Sequence, residues 1–322
     1  MAWLVTGGAG YIGAHVVRSL SKAGMDAVVI DDLSSGHREF VPEGVPFIEG
    51  SLLDPTALAA AFNAAPIDGV IHIAGFKYAG VSVQRPYHTY TQNVTAMVDL
   101  LRMAHDRGVD KFVFSSSASV YGNVGDGLVT EDTPKAPTSP YGETKLIGEW
   151  LLADGARAHG LHYTALRYFN VVGSGSDDLY DSSPHNLFPL IFKALEEGRT
   201  PVIFGDDYPT PDGTNVRDYI HVADLADSHV AAAQKLLSGE PLATAYNLGS
   251  GDGASVRQIM DAAARVTGTG FVPRVGPRRP GDPARIVASG ELAARDLGWK
   301  MTYTIDEMIA TAWAAAQKHP LA

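Results

Sequence analysis

Tyr141 and Lys145 stand four residues apart in Pro140-Tyr-Gly-Glu-Thr-Lys145, at the start of a helical run. Side chains at that spacing share one helix face, so a phenol and an ammonium address the same partner. A phenol titrates near pH 10, and using it as a base near neutrality requires lowering that value by about three units, roughly 4 kcal/mol. A neighbouring ammonium in a partly dry site supplies part of this, and a second cation must supply the rest. Ser117, in Ser115-Ser-Ser-Ala-Ser-Val-Tyr-Gly122, ends an apolar run and can share a substrate hydroxyl's proton with Tyr141. In isolation Tyr-x-x-x-Lys describes an ordinary exposed pair; its meaning depends on what else the chain carries.

The N-terminal stretch provides the source of the second cation. Gly8-Ala-Gly10-Tyr-Ile-Gly13 has the G-x-G-x-x-G pattern, and Gly7 adds the wider G-x-x-G-x-x-G spacing. It follows an apolar run directly and opens a helical pattern, where free backbone N–H groups and the helix dipole can receive a pyrophosphate. Asp31 ends the next apolar run, 18 residues past Gly13. A carboxylate there can bind adenosine ribose hydroxyls and repels a 2′-phosphate, favouring NAD over NADP. The oxidised nicotinamide ring of NAD is cationic.

These residues need a scaffold that brings strand ends together. Ala2 to Thr6, Ala27 to Ile30, Val45 to Ile48, Val70 to Ile73 and Lys111 to Phe114 read as buried strands, alternating with helical faces marked by Ile12, Val16, Val17 and Leu20, by 57–62 and by 94–104. Such alternation predicts an α/β fold, a Rossmann-type doubly wound parallel sheet with helices on both faces, whose ligands lie outside the carboxyl ends of the strands. Beyond Asn170 the rhythm breaks into a Gly, Ser, Asp and Pro-rich stretch (171–185). A helix over 187–197, a strand at 202–204, a helical run over 221–237, a strand at 245–248, a helix near 256–266, a strand near Phe271 and a closing helix over 305–317 follow. The expected organisation is an NAD-binding domain of residues 1–174 plus 221–248, and a smaller, discontinuous C-terminal α/β substrate domain of residues 175–220 plus 249–322.

Composition narrows the partners. The 322 residues include 36 acidic side chains against 25 Lys plus Arg, a formal charge of -11, with 45% hydrophobic residues and no cysteine. Thiolate metal sites, disulfides and cysteine nucleophiles are excluded. The acidic balance argues against nucleic acid as partner. No window holds the ~18 uncharged apolar residues of a membrane span, and no leader pattern opens the chain, so a cytoplasmic protein with no membrane partner is expected. On that reading the sequon at Asn93 is chance. The histidines lack metal-ligand spacing, and Asp177, Asp178 and Asp181 lie in a polar loop; satisfied or solvated side chains explain both better than a metal does, so no metal is expected.

The glycine-rich start, Ser117 and Tyr141-x-x-x-Lys145 resemble the extended short-chain dehydrogenase/reductase family over nearly the whole chain. His72-Ile-Ala-Gly-Phe-Lys77, Ser115 to Gly122, Leu166-Arg-Tyr-Phe-Asn170, Ile203 to Thr214, Val216-Arg-Asp-Tyr219-Ile-His-Val222 and Arg278-Arg-Pro-Gly-Asp282 are similar to the UDP-glucose 4-epimerase family within it. The stretch from Ile203 to Val222 is the most specific. The resemblance implies a redox-neutral reaction on resident NAD. Tyr141 takes the proton of the sugar C4 hydroxyl while C4 hydride leaves, and the 4-keto sugar turns and is reduced on its other face. Lys145 holds the nicotinamide ribose and Lys77 the cofactor phosphates; Gly7, Gly10, Tyr11, Ile12, Gly13, Asp31, Ser51, Leu52, Ala74, Asn93, Tyr141 and Tyr168 complete the cofactor site. The UDP-sugar falls to Ser117, Tyr141, Asn170, Asn186, Leu187, Phe204, Arg217, Tyr219, Arg279, Asp282 and Ile286. A homodimer through helices near 86–107 and 141–159 is implied as well.

Four departures bear on cofactor grip and substrate range. Ser51 replaces the usual acidic residue after the third strand, Tyr78 to Val81 replaces an Ala-Val-Gly-Glu run, the 174–185 loop differs in composition, and Ile286 is of intermediate bulk where size gates N-acetylated sugars. A dehydratase of this fold would place an acidic pair after Ser117, where Ala-Ser-Val stands, and a non-catalytic NAD sensor would not need Tyr141 and Lys145 together. C4 epimerisation of UDP-glucose and UDP-galactose is the expected activity, with other UDP-sugars as the alternative.

Overall fold

Strands rich in Val, Ile and Phe build the scaffold: β1 (Ala2–Thr6), β2 (Asp26–Asp31), β3 (Phe47–Glu49), β4 (Ile67–His72), β5 (Lys111–Ser117) and β6 (His162–Tyr168). Shorter ones follow: β7 (Asn170–Val172), β8 (Val202–Phe204), β9 (Val216–Arg217), β10 (Tyr219–His221), β11 (Ala245–Leu248), β12 (Ala254–Ser255), β13 (Arg274–Gly276) and β14 (Arg285–Ile286). The helices are α1 (Tyr11–Lys22), α2 (Pro55–Asn63), α3 (Ala79–Gln84), α4 (Pro86–Tyr90), α5 (Ala96–Asp106), α6 (Pro140–His159), α7 (Leu187–Glu196), α8 (Val222–Ser238), α9 (Val256–Val266), α10 (Glu291–Leu297) and α11 (Ile305–Lys318). This computed structural model describes every residue except Met1, Asp126, Pro184, Pro280, Gly281 and 320–322.

Seven strands pair in parallel in the order β11-β6-β5-β4-β1-β2-β3. From β1 the chain runs outward to β3 and then crosses back to β4, so the order reverses between β1 and β4. A crevice opens at such a reversal, beyond the carboxyl ends of the strands. Alternation along β1 sends Trp3 and Val5 to one face, against Val16, Val17 and Leu20 of α1 and Leu225 and Val230 of α8. Ala2 and Leu4 go to the other, against Leu58 of α2, Met97 and Leu100 of α5 and Leu152 of α6. Two layers of helix thus bury the sheet on both sides.

A second core lies over the strand ends, where Phe188, Ile191 and Phe192 of α7 meet Ile259 and Met260 of α9 and Met308 and Ile309 of α11. Ala293 and Leu297 of α10, with Trp299, pack instead into the core under the large sheet, and the Trp299 indole donates to Asp224 O at 2.7 Å. The pair β7·β10 joins the two regions.

Several expected boundaries move. Ser115, Ser116 and Ser117 belong to β5 itself, paired with Leu166, Arg167 and Tyr168 of β6, because the strand continues as far as its neighbour does. β6 was not anticipated from the pattern, since Arg167 interrupts its apolar run. The strand expected near Phe271 lies at Arg274–Gly276, beside β8, while Phe271 packs into the second core. The strand expected at 45–48 is Phe47–Glu49, after Pro46, and that expected at 70–73 begins earlier, at Ile67. Asn93 lies in a π-helical turn, Thr91–Thr95, that precedes α5; such wide turns recur at functional sites.

Burial keeps four histidines neutral: His15, His221 and His229 are lowered to about 4 and His72 to about 3. His229 of α8 donates through Nδ1 to Leu225 O at 2.9 Å and accepts through Nε2 from the Ser115 hydroxyl at 2.7 Å. Between its ordinary 6.5 and about 4 the unfolded chain binds a proton that the folded chain refuses, so stability falls as pH falls through that window. We predict that His229→Gln, neutral throughout, loses less Tm than the parent between those two pH values. Parallel Tm curves for the two proteins would contradict this account.

Candidate active site

One cavity of about 960 Å³ opens over the reversal point and continues toward the second core. Its closed end is the turn between β1 and α1. Gly7 there has φ +71°, and a Cβ on Gly13 would lie 2.0 Å from Gly7 O, so both positions exclude a side chain for reasons internal to the protein. Gly10 differs: a Cβ there would meet only Gly7 O, at 3.3 Å, yet the residue lines the cavity. Gly10 is the N-cap of α1 and offers no side-chain cap, which leaves the first N–H groups of the helix facing an anion-sized space.

Asp31 ends β2 at the cavity wall. Its carboxylate accepts from Ala9 N at 3.0 Å and Leu33 N at 2.9 Å; burial raises its pKa while these bonds oppose the rise. Ser51, Leu52 and Ala74 line the same end, with Lys77 exposed beyond them. Tyr11 lines it too, its hydroxyl donating to Gly173 O at 2.6 Å. These features suit a dinucleotide: an uncapped helix start for the pyrophosphate and a rigid carboxylate for a ribose.

The reacting groups sit midway. α6 starts at Ser139, whose side chain accepts from Gly142 N, and Pro140 occupies the first turn. Its inward face carries Tyr141 and Lys145. The Lys145 ammonium donates to Ser115 O at 2.8 Å and lies 5.7 Å from the Tyr141 ring centroid. Burial lowers it to about 8. Burial also raises the Tyr141 phenol, and the Ser117 hydroxyl, in hydrogen-bond contact with it, opposes the rise. Lys145 therefore lies beneath the ring rather than on the phenol oxygen, and the dry surroundings oppose the lowering that a base requires. Tyr168 forms the adjoining wall, its phenol raised by burial and by Tyr141.

The far end is lined by Asn170, Asn186, Leu187, Phe204, Arg217, Tyr219, Arg279 and Asp282. Arg217 has no carboxylate within ion-pair distance among the described residues; it bonds only Val216 O, at 3.0 Å, and burial lowers its pKa. The Asp282 carboxylate acts on it only at longer range, and a half-buried cation with no direct ion pair is suited to an anionic ligand. Arg279 lies over the Phe204 ring, 4.1 Å from its centroid. Asn170 donates to Asp218 O at 2.8 Å and Asn186 to Asp181 at 2.7 Å.

Three expected site residues stand behind the wall. Ser117 reaches the site through Tyr141. Asn93, 7% exposed, has both ends of its amide in use, accepting from Phe76 N at 2.6 Å and donating to Phe76 O at 3.0 Å and Thr144 Oγ1 at 2.9 Å; it therefore shapes the turn that carries Lys77. Ile286 pairs with Arg217 through β14·β9 and packs beside Val120, Tyr121 and Leu146. Asp181 is a satisfied carboxylate rather than a solvated one: it lines the cavity, accepts from Asn186 and from Ser183 N, and burial raises its pKa while the Asn186 bond and Lys77 oppose the rise. Asp177 and Asp178 are paired outward, with Lys318 and Arg18. Among the described residues no cluster could hold a metal ion, and no helix is long and apolar enough to cross a membrane.

A doubly wound parallel sheet with a glycine turn after β1, a carboxylate at the cavity wall at the end of β2, a Ser at the end of β5 and Tyr and Lys on the helix beside it defines a dinucleotide-dependent short-chain dehydrogenase/reductase architecture. The chain belongs to the NAD dependent epimerase/dehydratase family, whose model matches residues 3–249. It is 42% identical to the UDP-glucose 4-epimerase of Lacticaseibacillus casei, over 99% of this chain and 98% of that one. A crystal structure of a UDP-glucose 4-epimerase superposes with a TM-score of 0.95 at 41% identity, covering 99% of this chain and 98% of the other. The enzyme from Bifidobacterium longum, in complex with NAD+ and UDP, superposes with a TM-score of 0.91 at 37% identity, covering 99% of each chain.

Gly13→Ala is predicted to weaken NAD binding by about tenfold or more, ~1.4 kcal/mol, because the loop must shift to clear Gly7 O. Titration of the cofactor-free protein with NAD measures it. Parental affinity in that variant would remove the loop from the cofactor site.

Proposed function

We propose that this chain is an NAD-dependent enzyme that inverts C4 of a UDP-hexose, interconverting UDP-glucose and UDP-galactose. The observation that carries the reading is the presence in one cavity of a pyrophosphate-ready helix start, the Tyr141 and Lys145 side chains backed by Ser117, and an Arg217 without an ion-pair partner among the described residues. NAD, held by Gly7, Gly10, Gly13 and Asp31, takes up the C4 hydride and returns it. The remaining work falls to the protein. Tyr141 accepts the proton of the C4 hydroxyl and gives it back, with Ser117 bonded to the same oxygen. Lys145, fixed on Ser115 O, keeps a positive charge under the phenol and so favours its ionised form. The further lowering that burial demands falls to the cationic nicotinamide.

Arg217 and Arg279 bind the diphosphate, and Phe204, Leu187 and Asn186 the remainder of UDP. Binding energy placed at this unreactive end holds the 4-keto sugar while the sugar itself stays free to turn over. Tyr11, Ile12, Ser51, Leu52, Ala74, Lys77 and Tyr168 line the cofactor end in this reading, and Asn170, Tyr219 and Asp282 the sugar-nucleotide end. The cofactor part comprises residues 1–174 with 221–248, and the substrate part 175–220 with 249–322, of which α10 and Trp299 pack back into the core of the cofactor part.

A homodimer through α4, α5 and α6 belongs to the same proposal. Its support is the exposure of large apolar side chains on this side: Val83 at 61%, Tyr87 at 87% and Trp150 at 58%. A cytoplasmic location belongs to the same proposal, and the Asn93 sequon does not oppose it, since its amide is buried and fully bonded.

Incubation with UDP-galactose followed by separation of products tests the activity. UDP-glucose is the expected product; a 4-keto-6-deoxy sugar would make the protein a dehydratase, and no turnover with NAD bound would make it a sensor. UDP-N-acetylglucosamine and UDP-xylose run alongside report the substrate range. Tyr141→Phe should lower kcat by about 10²-fold or more while leaving UDP affinity within about twofold; near-parental turnover would remove Tyr141 from the base role. In sedimentation the parent should behave as a dimer and Trp150→Glu as a monomer, and a monomeric parent would contradict the interface.

A further inference from the structure

Behind Ser117, away from the cavity, lies a buried ion pair that the reaction does not use. Glu149 and Arg167 are 9% and 4% exposed. One Glu149 oxygen accepts from the Ser116 hydroxyl at 2.6 Å and from Arg167 Nε at 2.8 Å, and the other from Arg167 Nη2 at 2.6 Å. Arg167 Nη1 donates to the Tyr121 hydroxyl at 2.7 Å, which donates to Asn247 at 2.7 Å. Every member is bonded, as a buried polar network must be.

The placement is specific. Tyr141, Lys145 and Glu149 follow one another at four-residue spacing along the inward face of α6. Lys145 grips the carbonyl of Ser115 and Glu149 the hydroxyl of Ser116, so two successive turns of α6 are tied to two successive residues of β5. Arg167 extends the tie to β6. On its own helix Lys145 has Tyr141 one turn before it and Glu149, carrying Arg167, one turn after it; His72 on β4 interacts with Lys145, Tyr168 on β6 with Tyr141, and His229 on α8 bonds Ser115, the residue that Lys145 grips. The two histidines are held neutral and Tyr168 protonated. The charges left among these residues are those of the pair, opposite in sign and bonded to each other; on its far side Arg167 Nη1 also donates to Glu131 O at 3.3 Å, and the Glu131 carboxylate accepts from Asn247 N at 2.7 Å.

We propose that the Glu149–Arg167 pair is a positioning element for Tyr141 and Lys145. It sets the register of α6 on β5 and, being balanced, leaves Lys145 as the net charge beneath the phenol. This rests on the function proposed above.

Breaking the balance from either side moves proton affinities in opposite directions, which simple loss of packing does not. Glu149→Gln leaves the arginine cation one helical turn from Lys145, so both Tyr141 and Lys145 release protons more readily and the pH profile of kcat shifts toward acid by about one to two units. Arg167→Met leaves the carboxylate and shifts the profile toward alkali, by less, because a buried carboxyl without its cation takes up a proton. The double variant returns the profile to within about half a unit of the parent. The position of a profile on the pH axis does not depend on how much of the enzyme is folded. If Arg167→Met yields no folded protein, the acid shift of Glu149→Gln alone decides. Ultraviolet difference titration of the phenol, each protein against its own Tyr141→Phe derivative, reads the same shifts without turnover.

Shifts of the same sign, or none, in the single variants would overturn the proposal. Absence of turnover by the parent would overturn the function instead, and the phenol titration would still judge the pair.

Discussion

The bond from the Lys145 ammonium to the carbonyl of Ser115 is the contact on which the rest of the site depends. A lysine with its head buried is held charged only if an oxygen faces it, and here that oxygen belongs to the strand that also ends in Ser117. The bond therefore fixes three things together: the distance of α6 from the sheet, the position of the cation under the phenol, and the direction in which Tyr141 faces the Ser117 hydroxyl. Its dryness has an opposite effect on each partner, holding Lys145 to about 8 and pushing the phenol up. A site arranged in this way is poised to respond to an arriving cation, since in low dielectric a further positive charge acts strongly on the phenol.

Electrostatics is divided along the cavity in a manner that net charge conceals. The chain carries -11 overall, yet features suited to anions are local: backbone N–H groups at the uncapped start of α1 and Arg217, which has no direct ion pair among the described residues. Asp31 and Asp181 supply the opposite sign, the first bonded to two backbone amides and the second to Asn186 and Ser183. Placing dipoles and single charges at fixed points lets an acidic surface surround a site for anionic ligands.

Much of this was legible in the sequence, for identifiable reasons. The glycine turn, Asp31 and the Tyr141/Lys145 pair lie close together in the chain relative to the element that positions them, so spacing alone puts them on a turn, a strand end and a helix face. The large sheet was legible because strands buried on both faces read as uninterrupted apolar runs. β6 was not, because Arg167 breaks its run; that break was itself a signal, since an arginine within an apolar strand requires a buried partner, and Glu149, one turn past Lys145, is that partner. Asn93 and Ile286 align with site positions, yet their side chains face the protein, and orientation behind a wall leaves no trace in spacing. The short pairings β7·β10, β9·β12 and β13·β8 join segments distant in sequence and were beyond local pattern.

The ties along α6 also say where this molecule cannot change in length over evolutionary time. Tyr141 N bonds the Ser82 hydroxyl, Lys145 bonds Ser115 and Glu149 bonds Ser116, so the helix takes its register from the sheet and from α3. The segment that leads into it is under no such demand at its tip: side chains added at Gly125 or Gly127 would meet nothing. Side chains are therefore tolerated at those two positions, whereas a single residue gained or lost inside α6 rotates the helix by about 100° and carries the phenol off the cavity altogether.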